Sequence, residues 1–318
     1  MATYLITGVA GFIGSSIARA VLAQGDEVRG IDNFSTGKRE NIADIMGQIG
    51  FREADLLDMD AVHAACREVD YIFHEAAIPS VPKSVLDPLG SNRANVDGTV
   101  HLLVAAKDAK VKRVIYAASS SAYGDTPTLP KHESIPPNPI SPYAVAKLAG
   151  EYYMTSFYRC YGLETVCLRY FNIFGPRQDP SSPYSGVLAK FITQMLNGEE
   201  PTIFGDGAQS RDFTYIDNTV EANLLAAKAP AAQAAGQVFN VATGTRVDLN
   251  QTFQLLKKII GFKGDVKYSP ERAGDVKHSL ADLSRIEKHL GYKASVSFEE
   301  GLRRTVEWYR GQHKAAKA

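Results

Sequence analysis

The stretch TYLITGVAGFIG (residues 3–14) constrains the fold more than any other. An apolar run, TYLIT, ends at Gly8, and an amphipathic pattern in Phe12, Ile13, Ile17, Ala20 and Val21 follows. The run reads as a strand and residues 12–24 read as a helix, so Gly8, Gly11 and Gly14 occupy the turn between them. Glycines there permit a tight turn, admit a ligand close to backbone N–H groups, and set the positive end of a helix beside it. The same alternation continues. EVRGID (27–32), GFREAD (50–55), DYIFHEAA (70–77), RVIYAAS (113–119) and ETVCLRY (164–170) read as strands. Residues 91–109 and 143–161 read as long helices, the second bounded by Pro142 and Gly162. Strands alternating with helices imply an α/β fold, a doubly wound parallel sheet covered on both faces.

The second strand ends in Asp32, 24 residues after Gly8. A carboxylate there accepts both hydroxyls of an adenosine ribose and repels a 2′-phosphate, which favours NAD over NADP. Asp55 and Leu56 follow the third strand, where an adenine edge would lie. Residues 1–174 are therefore expected to form an NAD-binding Rossmann domain. After Phe171 the texture changes: Pro and Gly become frequent and helices shorten. Residues 175–318 are expected to form mainly a smaller α/β substrate-binding lobe. QVFNVAT (237–243) is strand-like and is expected to return to the first domain.

Composition narrows the classes of partner. The 318 residues carry 35 Lys+Arg and 35 Asp+Glu, so the net charge is zero and no footprint for nucleic acid or an acidic membrane surface is expected. The chain holds no apolar run long enough to span a bilayer, and MATYLITG enters a strand at once, so no secretory leader is expected. Cys66, Cys160 and Cys167 are scattered, which suits a reducing cytoplasm, and neither they nor the seven histidines show metal-ligand spacing.

The chemistry is read from AASSSAYG (117–124) and SPYAVAK (141–147). In a doubly wound sheet ligands bind at the carboxyl ends of strands, which is where Ser119, Ser120 and Ser121 follow the fifth strand. Any one of these serines alone reads equally as a polar turn residue. Tyr143 opens the next helix, and Lys147 lies one turn on. That spacing alone is weak, since residues four apart on a helix are neighbours by geometry. Position gives it meaning. A tyrosine hydroxyl titrates near 10, and nearby positive charge from Lys147 and an oxidised nicotinamide would bring it toward neutrality as a base. A serine hydroxyl facing the same point would hydrogen-bond the reacting oxygen, and the three parts describe alcohol oxidation by hydride transfer.

With these residues in view, the chain resembles the extended short-chain dehydrogenases/reductases, and among them the nucleotide-sugar C4-epimerases that act on UDP-glucose or UDP-N-acetylglucosamine. The resemblance covers nearly the whole length through GVAGFIG, HEAA, NVDGT, SSSAYG, YAVAK, RYFNIFGPRQ, GDGAQSRDFTYI and RAGDVKHSLAD in that order. It implies Tyr143 as catalytic base, Lys147 as its partner and holder of the nicotinamide ribose, and Ser119 as the serine on the reacting hydroxyl. Ser120 and Ser121 would line the sugar pocket. Phe12, Ile13, Asn33, Ser35, Thr36, Gly37, Ala76, Ala77, Lys83, Asn95 and Tyr170 match the family's cofactor positions, beside Gly8, Gly11, Gly14, Asp32, Asp55 and Leu56. Asn172, Gly186, Val187, Phe204, Gln209, Arg211, Arg272 and Asp275 match its UDP-sugar lining, and Lys83 serves both sets. Planar arginine forks suit a diphosphate, and Asp275 would accept from a ribose.

Within the family, a 4,6-dehydratase needs an Asp–Glu acid–base pair where this chain has Ser120 and Ser121, which disfavours dehydration. UDP-glucuronate epimerisation or decarboxylation would want a cation reserved for the sugar carboxylate, and none is assigned from the sequence; that reading stays as an alternative. A cofactor-sensing binding protein is the non-enzymatic one, opposed by the intact Ser119, Tyr143 and Lys147. Ser279 matches the position that walls the sugar's C2 side, where a bulky Tyr goes with restriction to UDP-glucose and UDP-galactose. Small Ser279 and Gly186 resemble the pockets that favour UDP-GlcNAc and UDP-GalNAc. The family also implies a homodimer through a four-helix bundle of helices 91–109 and 143–161.

Overall fold

Apolar strands buried on both faces build the frame. The computed structural model describes residues 1–180, 186–271 and 277–315. Its main sheet contains β1 (Thr3–Thr7), β2 (Glu27–Asp32), β3 (Gly50–Glu53), β4 (Tyr71–His74), β5 (Arg113–Ser119) and β6 (Glu164–Tyr170). The Gln237–Val241 strand completes it, in the spatial order β3-β2-β1-β4-β5-β6 and then 237–241. All neighbours run parallel. Alternate side chains point to opposite faces. Thus Ile6, Phe73, Ile115 and Val166 join one core cluster, whereas Leu5, Ile72, Val114 and Cys167 join the other.

The Phe12–Ala23 and Ile216–Lys228 helices cover the first face, and the Met59–Cys66, Gly98–Asp108 and Pro142–Tyr161 helices cover the second. The helix read at 91–109 starts earlier, at Pro88, because the Asp87 carboxylate accepts from the Gly90 N–H (2.9 Å) as its cap. It runs on to Asp108 through a π-helical turn at Arg93–Asp97. Ser141 caps the Pro142–Tyr161 helix by accepting from Ala144 N–H (3.2 Å), and Gly162 ends it in the left-handed conformation. Beyond β6, short two-stranded pairs accompany the seventh strand: Ile173–Phe174 with Thr214–Tyr215, Ser210–Arg211 with Val247–Asp248, and Thr202–Phe204 with Lys267–Ser269. Among the described residues no helix is long and apolar enough to cross a membrane.

Candidate active site

The strand order reverses at β1, whose neighbours are β2 and β4, and the carboxyl ends of the strands open there into a cavity of about 1100 Å³. Such a reversal is where open α/β sheets bind ligands. The volume exceeds the roughly 300–1,000 Å³ of a single small-ligand site, which leaves room for a cofactor and a substrate together.

One end of the cavity is built from the first βα turn. Gly8 has φ 68°, and a Cβ on it would lie 2.8 Å from the Ala76 backbone. A Cβ on Gly14 would lie 2.2 Å from the Gly8 carbonyl. Both positions therefore admit glycine alone, and the turn stays open to a ligand. Asp32 ends β2 with its carboxylate accepting from Ala10 N–H (2.9 Å) and Phe34 N–H (2.8 Å). Burial pushes its carboxyl up, and those two N–H groups pull it back. Asn33 donates to Asp55 Oδ2 (2.7 Å), tying the ends of β2 and β3. Gly11, Phe12, Ile13, Ser35, Thr36, Gly37, Leu56, Ala76, Ala77 and Lys83 complete this wall.

Ser119, Tyr143 and Lys147 meet at the other end of the sheet edge. Burial pushes the Tyr143 phenol up, and Ser119 faces it closely enough to pull its pKa down. Ser119 Oγ accepts from Ser121 Oγ–H (2.8 Å) and Ser121 N–H (3.2 Å). Tyr143 N–H donates to Ser84 Oγ (3.0 Å), which fixes the first turn of the helix. Lys147 is 3% exposed, and its ammonium donates to the Ala117 carbonyl (2.8 Å) above the Tyr116 ring, 4.9 Å from the centroid. It therefore sits one layer deeper than the phenol, against β5, because a buried ammonium takes the nearest carbonyl. Burial pulls its pKa down, against Glu75 and then Glu151, which pull it up.

Ser120, Ser121, Tyr170, Asn172, Gly186, Arg211 and Ser279 wall the remainder. Asn172, at φ 41°, donates to Ser279 Oγ (3.1 Å) and to the Asp212 carbonyl (3.2 Å). Arg211 donates to the carbonyls of Ser210 (3.1 Å) and Lys277 (3.0 Å). Four residues read as contacts, Asn95, Val187, Phe204 and Gln209, do not reach the cavity wall. Asn95 is buried and clamps Ile78, accepting from its N–H (2.8 Å) and donating to its carbonyl (3.3 Å). Its amide is consumed in holding the loop. Val187 starts the Val187–Leu196 helix, and Gln209 turns away to donate to the Phe204 carbonyl (2.6 Å). Arg272 and Asp275 lie outside the described residues.

Glu75, Lys131 and Arg177 also line the cavity and were not singled out from sequence. Glu75 stands inside HEAA, so the motif contained it; Lys131 carried no signal, since only its distant bridge to Ala281 brings it in. Asp212 works from behind. It is fully buried and accepts from Thr243 N–H (2.9 Å), Thr243 Oγ1–H (2.8 Å), Gly244 N–H (3.1 Å) and Ala281 N–H (3.2 Å), which pins the loops beside Ser279.

Comparison with known proteins agrees with this geometry. The family model described as the NAD dependent epimerase/dehydratase family matches residues 4–242. A solved UDP-N-acetylglucosamine 4-epimerase from Methanobrevibacter ruminantium M1, in complex with UDP-N-acetylmuramic acid, is 43% identical, with a TM-score of 0.93 over 98% of this chain and 99% of its own. The UDP-glucose 4-epimerase of Thermotoga maritima, solved with UDP-glucose, is 40% identical with a TM-score of 0.93 over the same shares. The UDP-glucose 4-epimerase of Mycolicibacterium smegmatis is 38% identical over 312 residues, 97% of this chain and 98% of its own.

Proposed function

Because the chain belongs to the NAD-dependent epimerase/dehydratase family, we propose that it is a UDP-sugar 4-epimerase whose preferred pair is UDP-GlcNAc and UDP-GalNAc, with UDP-glucose and UDP-galactose also accepted. The observation that carries this reading is that Ser119, Tyr143 and the buried Lys147 share one cavity with the Gly8 turn and Asp32.

The residues fit NAD. The glycine turn leaves no room for side chains at its closest points, and Asp32 offers a carboxylate at the wall. NAD, when bound, supplies the acceptor and later the donor of the C4 hydride. Tyr143 takes the O4 proton and returns it, and the Ser119 hydroxyl, in the same cavity wall, hydrogen-bonds O4. Lys147, kept from solvent, holds positive charge beside the phenol and the cofactor ribose. Arg211, with Arg272, is assigned to the diphosphate and Asp275 to the ribose. The 4-keto sugar then turns about that anchor and accepts hydride on its other face.

Two features support epimerisation over elimination and a broad pocket over a narrow one. Ser120 and Ser121 supply no acid–base pair for loss of water. Ser279 is small and leaves the wall beside Asn172 low. We also assign residues 1–174 to the cofactor domain and residues 175–318 mainly to the sugar lobe, the latter lending Gln237–Val241 to the main sheet. Incubation with UDP-Glc and UDP-GlcNAc side by side should give UDP-Gal and UDP-GalNAc, the second pair faster, with no added reductant. Loss of water from either sugar, or steady NADH accumulation, would contradict the proposal.

A further inference from the structure

Glu75 is an acidic group in the cavity wall to which the reaction above gives no part. It follows β4 directly, its N–H bonded to the Thr7 carbonyl (3.2 Å), so the turn out of the sheet delivers its side chain into the cavity beside Ala76. One carboxylate oxygen accepts from the Tyr170 phenol (2.9 Å), which in turn accepts from Asn223 Nδ2 (2.8 Å). This chain crosses from β6 to the Ile216–Lys228 helix and leaves the carboxylate little freedom to turn. Among the described residues no arginine or lysine nitrogen lies within ion-pair distance of it.

The charges around it come from three elements. Burial pushes the Glu75 carboxyl up to about 7, against its donor Tyr170 on β6 and then the Lys147 cation on the Pro142–Tyr161 helix, which pull it down. His74, its neighbour on β4, is buried and held neutral. Glu151 also acts on Lys147, but Arg169 engages it with two hydrogen bonds (2.9 and 2.7 Å) and cancels most of its charge. Glu75 is thus the carboxylate left to balance Lys147 at the cavity wall.

We propose that Glu75 sets the redox preference of the site: its carboxylate offsets the Lys147 ammonium so that the cationic, oxidised nicotinamide is held more tightly, relative to the reduced ring, than Lys147 alone would permit. This rests on the NAD-dependent epimerase reading above. Lys147 is needed beside Tyr143, yet a fixed cation there repels the positive ring and favours the neutral one. An anion on the same wall removes that bias. The consequence suits an enzyme that must give its hydride back, because the reduced cofactor becomes the less favoured partner and the keto sugar is re-reduced before it leaves. Glu75 is a tuning residue; it makes no bond to the sugar in this scheme.

The test needs no sugar. Affinities of the protein for NAD+ and for NADH are measured by calorimetry, for wild type and for Glu75→Gln. The variant should shift the ratio of the two affinities toward NADH by about tenfold, the change expected from coupling worth one pKa unit. In wild type the ratio should move the same way as pH falls through about 7, where Glu75 takes up its proton, and the variant should lose that step. Equal weakening of both cofactors, or an unchanged ratio with an unchanged pH response in wild type, would overturn the proposal. If neither cofactor binds wild type, the NAD-dependent reading itself fails, which is a distinguishable result.

Discussion

At the scale of single residues, Tyr143 is the proposed acid–base group. Tyr143→Phe keeps the ring packing and removes the acid–base group, so kcat should fall by roughly 10²–10⁴-fold while UDP-sugar affinity changes little; single-turnover kinetics beside a binding isotherm reads both. Ser279→Tyr should slow UDP-GlcNAc turnover by at least about tenfold and leave UDP-Glc within a few-fold, since one wall residue is exchanged for bulk. Equal losses on both sugars would remove the gate from Ser279. His74 offers a pH test. Ala76 N–H donates to Thr7 Oγ1 (3.2 Å), Thr7 Oγ1–H to His74 Nδ1 (2.8 Å), His74 Nε2–H to Thr99 Oγ1 (2.9 Å), and Thr99 Oγ1–H to the Asn95 carbonyl (2.7 Å). Each hydroxyl proton is spent once, which specifies a neutral imidazole protonated at Nε2. Burial, with Lys147 adding, pulls its pKa from 6.5 down to about 3. The unfolded chain binds a proton below 6.5 that the folded one refuses until about 3, so stability is lost as pH falls across that window. The slope is about 1.4 kcal/mol per pH unit. Urea unfolding at pH 7 and pH 5 should therefore show a stability difference smaller by about 2 kcal/mol in His74→Gln than in wild type. Of these residues, Tyr143 was legible because it opens a helix, and Ser279 because it stands inside the GDVKHSLAD motif. The His74 relay and the Asn95 clamp were not, because their partners lie 17 to 67 residues away.

At the scale of elements, the Pro142–Tyr161 helix has three faces with different work. Its first turn presents Tyr143; Ala144, Ala146, Leu148, Gly150, Met154 and Phe157 are buried; Val145, Tyr152, Tyr153 and Tyr161 are exposed. Removing the cap with Ser141→Ala should cost about 1 kcal/mol of stability in urea unfolding. The helices and strands were visible in sequence because their signals are local: apolar runs, glycine turns, a capping serine. Their ends were less so. DYIFHEAA leaves the sheet at His74, where β4 pairs with Thr7, the last residue of β1. Once β1 ends, Glu75 to Ala77 have no strand partner on that side and become cavity wall instead. The π-turn at Arg93–Asp97 was hidden for a related reason. An extra residue in one turn shifts the apolar face without changing composition.

At the scale of the whole molecule, the parallel sheet follows from alternating strands and helices, whereas the return of Gln237–Val241 beside β6 is a long-range pairing that a strand-like run only suggests. The outer face of the Pro142–Tyr161 helix continues onto Leu86 (77% exposed) and Leu89 (74%), on the two short helices packed against it. The most direct measurement follows UDP-GlcNAc carrying deuterium at C4 of the sugar, incubated with the protein and no added reductant, with the product read by NMR. If Tyr143 moves the proton while hydride leaves C4 and returns to its opposite face, UDP-GalNAc should appear with the deuterium still at C4. Product with deuterium lost from C4, or a 4-keto sugar accumulating with NADH, would contradict it.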